Sequence, residues 1–206
     1  MRLRLVQRLA FVLVFLAAVT ARARAGEWSF APSITYYDPP GADAFLNPIV
    51  EADRGVLHLE ARYNYEDLET GALFAGRTYE FGKDISWTVV PMLGIVLGNT
   101  DGFAPGLKLN ADWRGFTFLT ESEVVVDFED AGSSFVYSWL EGSYGVMQGL
   151  RLGLAAQRTK TYETGLELQR GPLVEVSLDR KWLAFYWFNL DRPDDETFVV
   201  ASGFEF

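Results

Sequence analysis

Cysteine is absent from the 206-residue chain, and histidine occurs once, at position 58. Without cysteine there is no disulfide framework and no N-terminal lipidated thiol. With a single histidine there is no Cys/His metal cluster, and no phosphate-cradling glycine loop or nucleotide fingerprint is present; no cofactor is expected. Long hydrophobic runs are also missing after residue 25. None approaches the ~20 residues that a membrane-spanning helix needs, so any membrane span has to be built from strands. Basic residues are scarce. Of 18 Lys and Arg, five are arginines within residues 1–25, which leaves 13 against 28 acids, a net charge of −15 for residues 26–206. Nucleic-acid binders carry basic faces, so that class of partner is excluded.

The first 25 residues read as a cleaved signal peptide. Arg2, Arg4 and Arg8 form a positive start, Leu9 to Val19 is an unbroken apolar run, and Ala23-Arg24-Ala25 supplies small residues at the positions an A-x-A site requires. Eleven apolar residues are too few to anchor a helix in a bilayer. Residues 26–206 are one domain's worth of chain.

That domain reads as all-β. Aromatics make up 15% of the sequence, and segments of about ten residues with period-2 alternation recur to its end. Strands are expected at Trp28–Tyr37, Val56–Tyr65, Ala72–Phe81, Ile85–Leu97, Phe103–Trp113, Phe116–Phe128, Phe135–Tyr144, Leu150–Lys160, Thr164–Leu178, Lys181–Leu190 and Phe198–Phe206. Eleven is an odd number, and a closed antiparallel barrel with both termini on one side needs an even one. Membrane-spanning strand barrels alternate short turns at one end with longer loops at the other. Working back from the C-terminus, that alternation makes Ala52–Gly55 one of the short turns and implies a weak strand near Ala44–Glu51. The count becomes about twelve, with ten as the fallback if two short strands merge. Pro32, Pro48, Pro91, Pro105 and Pro172 fall inside expected strands, where proline cannot donate to a ladder. They require bulges or positions beyond the bilayer.

The last ten residues, T-F-V-V-A-S-G-F-E-F, alternate strictly and end on Phe204 and Phe206. This ending resembles the closing strand of small Gram-negative outer-membrane β-barrels. The resemblance implies export to the bacterial outer membrane and insertion by the barrel-assembly machinery, with Phe204 and Phe206 as its C-terminal aromatic signal. It names no activity, since this architecture hosts pores, lipases, proteases and structural proteins. Alternation alone also fits a secreted lipocalin-like barrel with its apolar face inward. Acids throughout the polar parity and aromatics at strand ends favour the closed transmembrane barrel.

Inside such a barrel, His58, Glu60, Arg62, Lys108, Glu121, Glu123, Asp127 and Glu175 form the expected lumenal charged network. Rings of carboxylates favour cations in a pore, which suggests a narrow cation-preferring channel. Paired charges and inward bulk that close a small barrel would instead make a structural membrane component. His58 is the one candidate for lipase- or acyltransferase-type chemistry, which needs a nucleophile beside the base and an orienting group beyond it; Ser33 and Ser86 share the polar parity. The outer loops, with Glu66, Asp67, Glu69, Asp101, Glu129, Asp130 and Asp191 among their acids, have no calcium-site spacing and read as a solvated rim.

Arg158 and Arg170 fall on the apolar parity. A hairpin centred on Thr164 sets Arg158 opposite Arg170, with Lys160 one step nearer the loop. Arginine at mid-bilayer costs about 2–4 kcal/mol, falling towards zero at the interface, so all three belong at the outer headgroup level. Lipopolysaccharide phosphates are their expected contacts there; the alternative is a hairpin that projects beyond the membrane and leaves them solvated.

Overall fold

A computed structural model describes residues 28–161 and 167–206, with the side chains of Lys160 and Thr161 outside the description. The expected leader at 1–25 and the tip of the hairpin after Thr161 also lie outside it. The strands are β1 (Ser29–Asp38), β2 (Phe45–Arg54), β3 (Leu57–Tyr63), β4 (Gly71–Arg77), β5 (Tyr79–Phe81), β6 (Ser86–Leu97) and β7 (Gly102–Trp113). They continue with β8 (Phe116–Asp127), β9 (Phe135–Met147), β10 (Leu150–Thr161), β11 (Glu167–Leu178), β12 (Lys181–Phe188) and β13 (Thr197–Phe204). All pair antiparallel with their neighbours, β1 pairs with β13, and β4 pairs with β6, so the sheet closes.

The pairs Gly76↔Met92 and Tyr79↔Val89 lie on one continuous register against β6. β5 is therefore the continuation of β4, and the wall has twelve staves. The weak strand implied at Ala44–Glu51 is a full ten-residue strand running to Arg54.

Each of the five in-strand prolines coincides with a lapse in one of its two ladders. Pairing of β1 with β13 begins at Ser33, just past Pro32, and pairing of β2 with β3 begins at Ile49, just past Pro48. Pro91 faces the gap between β4 and β5. The β7–β8 ladder skips Ala104 and Pro105, and the β11–β12 ladder starts at Leu173 after Pro172. In every case the other ladder runs through the proline, at Pro32↔Val50, Ile34↔Pro48, Pro91↔Leu107, Leu93↔Pro105 and Leu154↔Pro172. A residue in an antiparallel sheet donates to only one flank, so a closed wall tolerates a missing donor where that flank is interrupted.

The β10–β11 register corrects one expectation. Arg158 stands opposite Leu168 and Arg170 opposite Ala156, two residues out from the facing-arginine arrangement. Like charges directly opposite are destabilising, and this offset places the two guanidiniums on a diagonal.

The five short turns, 55–56, 82–85, 114–115, 148–149 and 179–180, share the end that holds both ends of the described barrel. By the loop-length rule this end is periplasmic. Arg114 (φ 48°) and Gly115 (φ 89°) make a two-residue turn of the mirror-image kind that matches strand twist.

The exterior is apolar. Leu73, Leu93, Ile95, Leu152, Leu154, Val176 and Leu178 are exposed on it. Aromatic rings collect at both ends, with Trp113, Phe116 and Tyr144 in successive contact at 6.2 and 4.6 Å on the inner side, and Phe103 against Phe128 at 5.9 Å on the outer. These are the two interfacial girdles of a membrane barrel. The inward parity carries the charges and fills the middle of the barrel.

Candidate functional site

The interior divides into an ionic half and an aromatic half. In the ionic half, β3 presents His58, Glu60 and Arg62 on alternate positions of one face, while β7 and β8 present Lys108, Glu121 and Glu123 across the lumen. Arg62 is fully buried. Its Nε donates to Glu60 at 2.7 Å, Nη1 to Glu123 at 3.1 Å, and Nη2 lies 2.6 Å from Glu121. The guanidinium also lies over the rings of Phe74 and Tyr65, at 4.3 and 4.5 Å from their centroids. Lys108 Nζ reaches Glu51 and, at 2.7 Å, Glu60. A planar fork of five donors suits a site where several carboxylates meet, and a buried charge needs such partners to be tolerable.

Glu66 completes the cluster from the outer loop between β3 and β4. Its side chain is fully buried, with Oε1 3.5 Å from Arg62 Nη1. It is therefore no member of the solvated rim. Burial pushes its carboxyl up to about 7, against the opposing pull of Arg62.

The expected network is split between places. His58, Glu60, Arg62, Lys108, Glu121 and Glu123 come together. Asp127 instead accepts from the backbone N–H groups of Glu129 and Asp130 at the outer end of β8. Glu175 faces Arg151 across β10–β11, and Arg151 in turn donates to Ser143. Three members were absent from the expectation, namely Glu51, Asp53 and Glu66. The first two lie on β2, whose pattern Pro48 obscures, and the third reads as an ordinary loop acid.

The aromatic half packs Trp139 edge-on against Tyr186 at 5.1 Å and Phe188 at 5.6 Å. Leu173, Val199 and Ala201 are buried beside them. Glu141 accepts from both Trp139 Nε1 and Tyr186 Oη at 2.7 Å.

Two cavities flank this filled middle. The inner vestibule, about 420 Å³, is lined by Glu51, Asp53, His58, Glu80, Lys108 and Glu121 among others. The outer vestibule, about 290 Å³, is lined by Tyr37, Asn47, Tyr65, Glu66, Tyr137 and Gln157 among others. They share no lining residue, and Arg62 with its carboxylates stands between them.

His58 has carboxylates at both ring nitrogens, Asp53 at 2.8 Å from Nδ1 and Glu60 at 3.3 Å from Nε2. Among the described residues it meets no hydroxyl nucleophile. Outside the barrel, Arg158 and Arg170 are exposed near the outer end, and Arg170 donates to Asp191 at 3.1 Å.

No protein-family model matches the chain, and no curated protein matches it. Solved structures do. A KdgM porin superposes with a TM-score of 0.58 at 10% identity, over 85% of this chain and 99% of that one. The NanC porin gives 0.53 at 10% identity, over 85% and 98%. Omp33 of Acinetobacter baumannii gives 0.51 at 10% identity, over 87% and 99%. At such identity the likeness is one of fold. Taken with an apolar, aromatic-girdled exterior and a charged interior, it makes the chain an outer-membrane β-barrel of porin-like fold.

Proposed function

We propose that the barrel is a narrow, cation-preferring channel whose lumen is constricted by Arg62 and its carboxylates. The observation that carries this reading is the pair of vestibules, one at each end, with a single guanidinium cluster between them. Acids outnumber bases along that path, with Glu51, Asp53, Glu60, Glu66, Glu121 and Glu123 against Arg62, Lys108 and the ionisable His58. Carboxylate-rich constrictions draw cations and repel anions. One of the solved KdgM structures is a complex with oligogalacturonate, a polyanion. An acid-lined passage disfavours such a solute, so the fold is used here for cargo of the opposite charge. Planar-bilayer recording tests the reading. Small steps with cation preference are expected from the unaltered protein, and larger steps from Arg62→Ala. Flat traces from both proteins, or anion preference, would overturn it.

A structural membrane component is the second reading, favoured by the tight aromatic filling around Phe188 and Leu173. Lipid chemistry at His58 has less support, because both ring nitrogens face carboxylates. Arg158, Arg170 and Lys160 are proposed to contact lipopolysaccharide phosphates, and Phe204 and Phe206 to serve as the assembly signal.

A further inference from the structure

The residues at the inner mouth carry an inference separate from conduction. We propose that Glu51, Asp53 and His58 form a site for a divalent transition-metal ion of the zinc class.

The three offer one ligand atom each, two carboxylate oxygens and one ring nitrogen, all within 4.8 Å of one another. All three sit on one hairpin. Asp53 and His58 are direct cross-strand partners, and Glu51 lies two residues back on β2, on the same face as Asp53. The short turn at Gly55 (φ 59°) fixes that register, so the donors are gathered before any ion arrives. Imidazole with two carboxylates suits a borderline ion such as zinc, whereas calcium and magnesium prefer oxygen donors alone.

The surroundings of the imidazole point the same way independently. His58 is buried, and Glu60 Oε2 lies 3.3 Å from Nε2. A metal-binding histidine usually donates its other ring N–H to a carboxylate, and Glu60 stands where it would take that role once Nδ1 holds the ion. Nδ1 lies 2.8 Å from Asp53 Oδ1, a hydrogen-bond distance, so a proton sits between them in the ion-free protein and a divalent ion would displace it. Lys108 neutralises one charge from the side of Glu51 and Glu60. With Asp53, and with Glu80 on the cavity wall, the local excess stays negative, as a dication requires. The inner vestibule supplies the entry path.

Calorimetric titration of the detergent-folded barrel with zinc chloride tests the site without reference to conduction. One saturable site is expected. It should be lost in His58→Gln, weakened at least about tenfold in Asp53→Asn and in Glu60→Gln, and unchanged in Glu129→Gln on the outer rim. Asp53 is half-exposed, so its variant keeps the question answerable should His58→Gln misfold, with heat-modifiable gel migration as the check on folding. Excess calcium should leave zinc binding intact. The absence of saturable binding, or wild-type affinity in folded Asp53→Asn and His58→Gln, would overturn the assignment.

Discussion

Phe30 and Phe206 exchange both backbone hydrogen bonds, each 3.0 Å long, on the same register that joins β1 to β13. The pairing lapses at Pro32 and resumes at this final residue, so the C-terminus seals the seam of the barrel. The rings add to it, with Phe206 lying 5.5 Å from Phe30 and 5.7 Å from Phe204. Phe206→Ala keeps the backbone bonds but removes two aromatic contacts worth about 0.5–1.5 kcal/mol each. Urea unfolding in lipid vesicles should show a loss of about 1–3 kcal/mol, and slower folding if the ring also serves assembly.

The guanidinium at the centre of the lumen makes a stronger prediction. Arg62→Gln leaves Glu60, Glu121 and Glu123 facing one another without their shared cation. Breaking a buried pair by removing one partner costs about 3–5 kcal/mol. The same unfolding assay reads the loss. Restoring part of it by adding Glu123→Gln to the first variant is the expected signature of unpaired charge rather than lost packing.

Glu66 supplies a pH dependence. Its folded carboxyl, pushed up to about 7 by burial, binds a proton more tightly than the unfolded one with its ordinary value of 4.5. The folded state therefore holds more protons between these values, and stability falls as pH rises through that window. The contribution is fully present below about pH 4.5 and gone above about pH 7. Unfolding followed from pH 5 to pH 8 should show this decline, and Glu66→Gln should flatten it.

Two glycines separate close packing from open space. A Cβ at Gly171 would stand 1.8 Å from the Trp187 carbonyl oxygen, whereas one at Gly142 would meet nothing within 4 Å. Gly171→Ala should cost about 1–3 kcal/mol through forced backbone movement. Gly142→Ala should be close to neutral or slightly stabilising, since it also removes unfolded-state freedom.

Much of this architecture is legible in the sequence because period-2 alternation is a local signal. Strands β6 to β8 and β10 to β13 stand close to where that signal puts them, and the even count follows from loop lengths. What one sequence does not hold is long-range geometry. Centring the Arg158–Arg170 hairpin on Thr164 puts its register two residues off, and a two-residue slip flips no side chain, so parity does not expose it. Pro48 weakens the alternation of β2, so loop lengths imply the strand but not which of its side chains, Glu51 and Asp53 among them, join the cluster. Glu66 carries no local mark of burial: Arg62 is only four residues away, but the far wall that covers the pair, with Glu121 and Glu123, reaches it only in the closed barrel. Parity gives Asp127 and Glu175 the same facing as the cluster but does not assign them to different neighbourhoods.

The surface arginines give a prediction for lipid. Both guanidiniums are exposed, and Arg170 is already paired with Asp191. Arg158→Gln combined with Arg170→Gln should lower the lipopolysaccharide that co-purifies with the barrel. Unchanged lipid content would mean that these side chains are simply solvated.

The account rests above all on which face of the sheet meets lipid. Trp113 and Trp187 are exposed on the outer surface, while Trp139 packs inside against Tyr186 and Phe188. Fluorescence quenching by lipids brominated on their acyl chains, measured on variants that keep one tryptophan each, reads this directly. Strong quenching of Trp113 and Trp187 with little quenching of Trp139 is the predicted result. Quenching of Trp139 in preference to the other two would contradict the assignment of the oily face to the membrane.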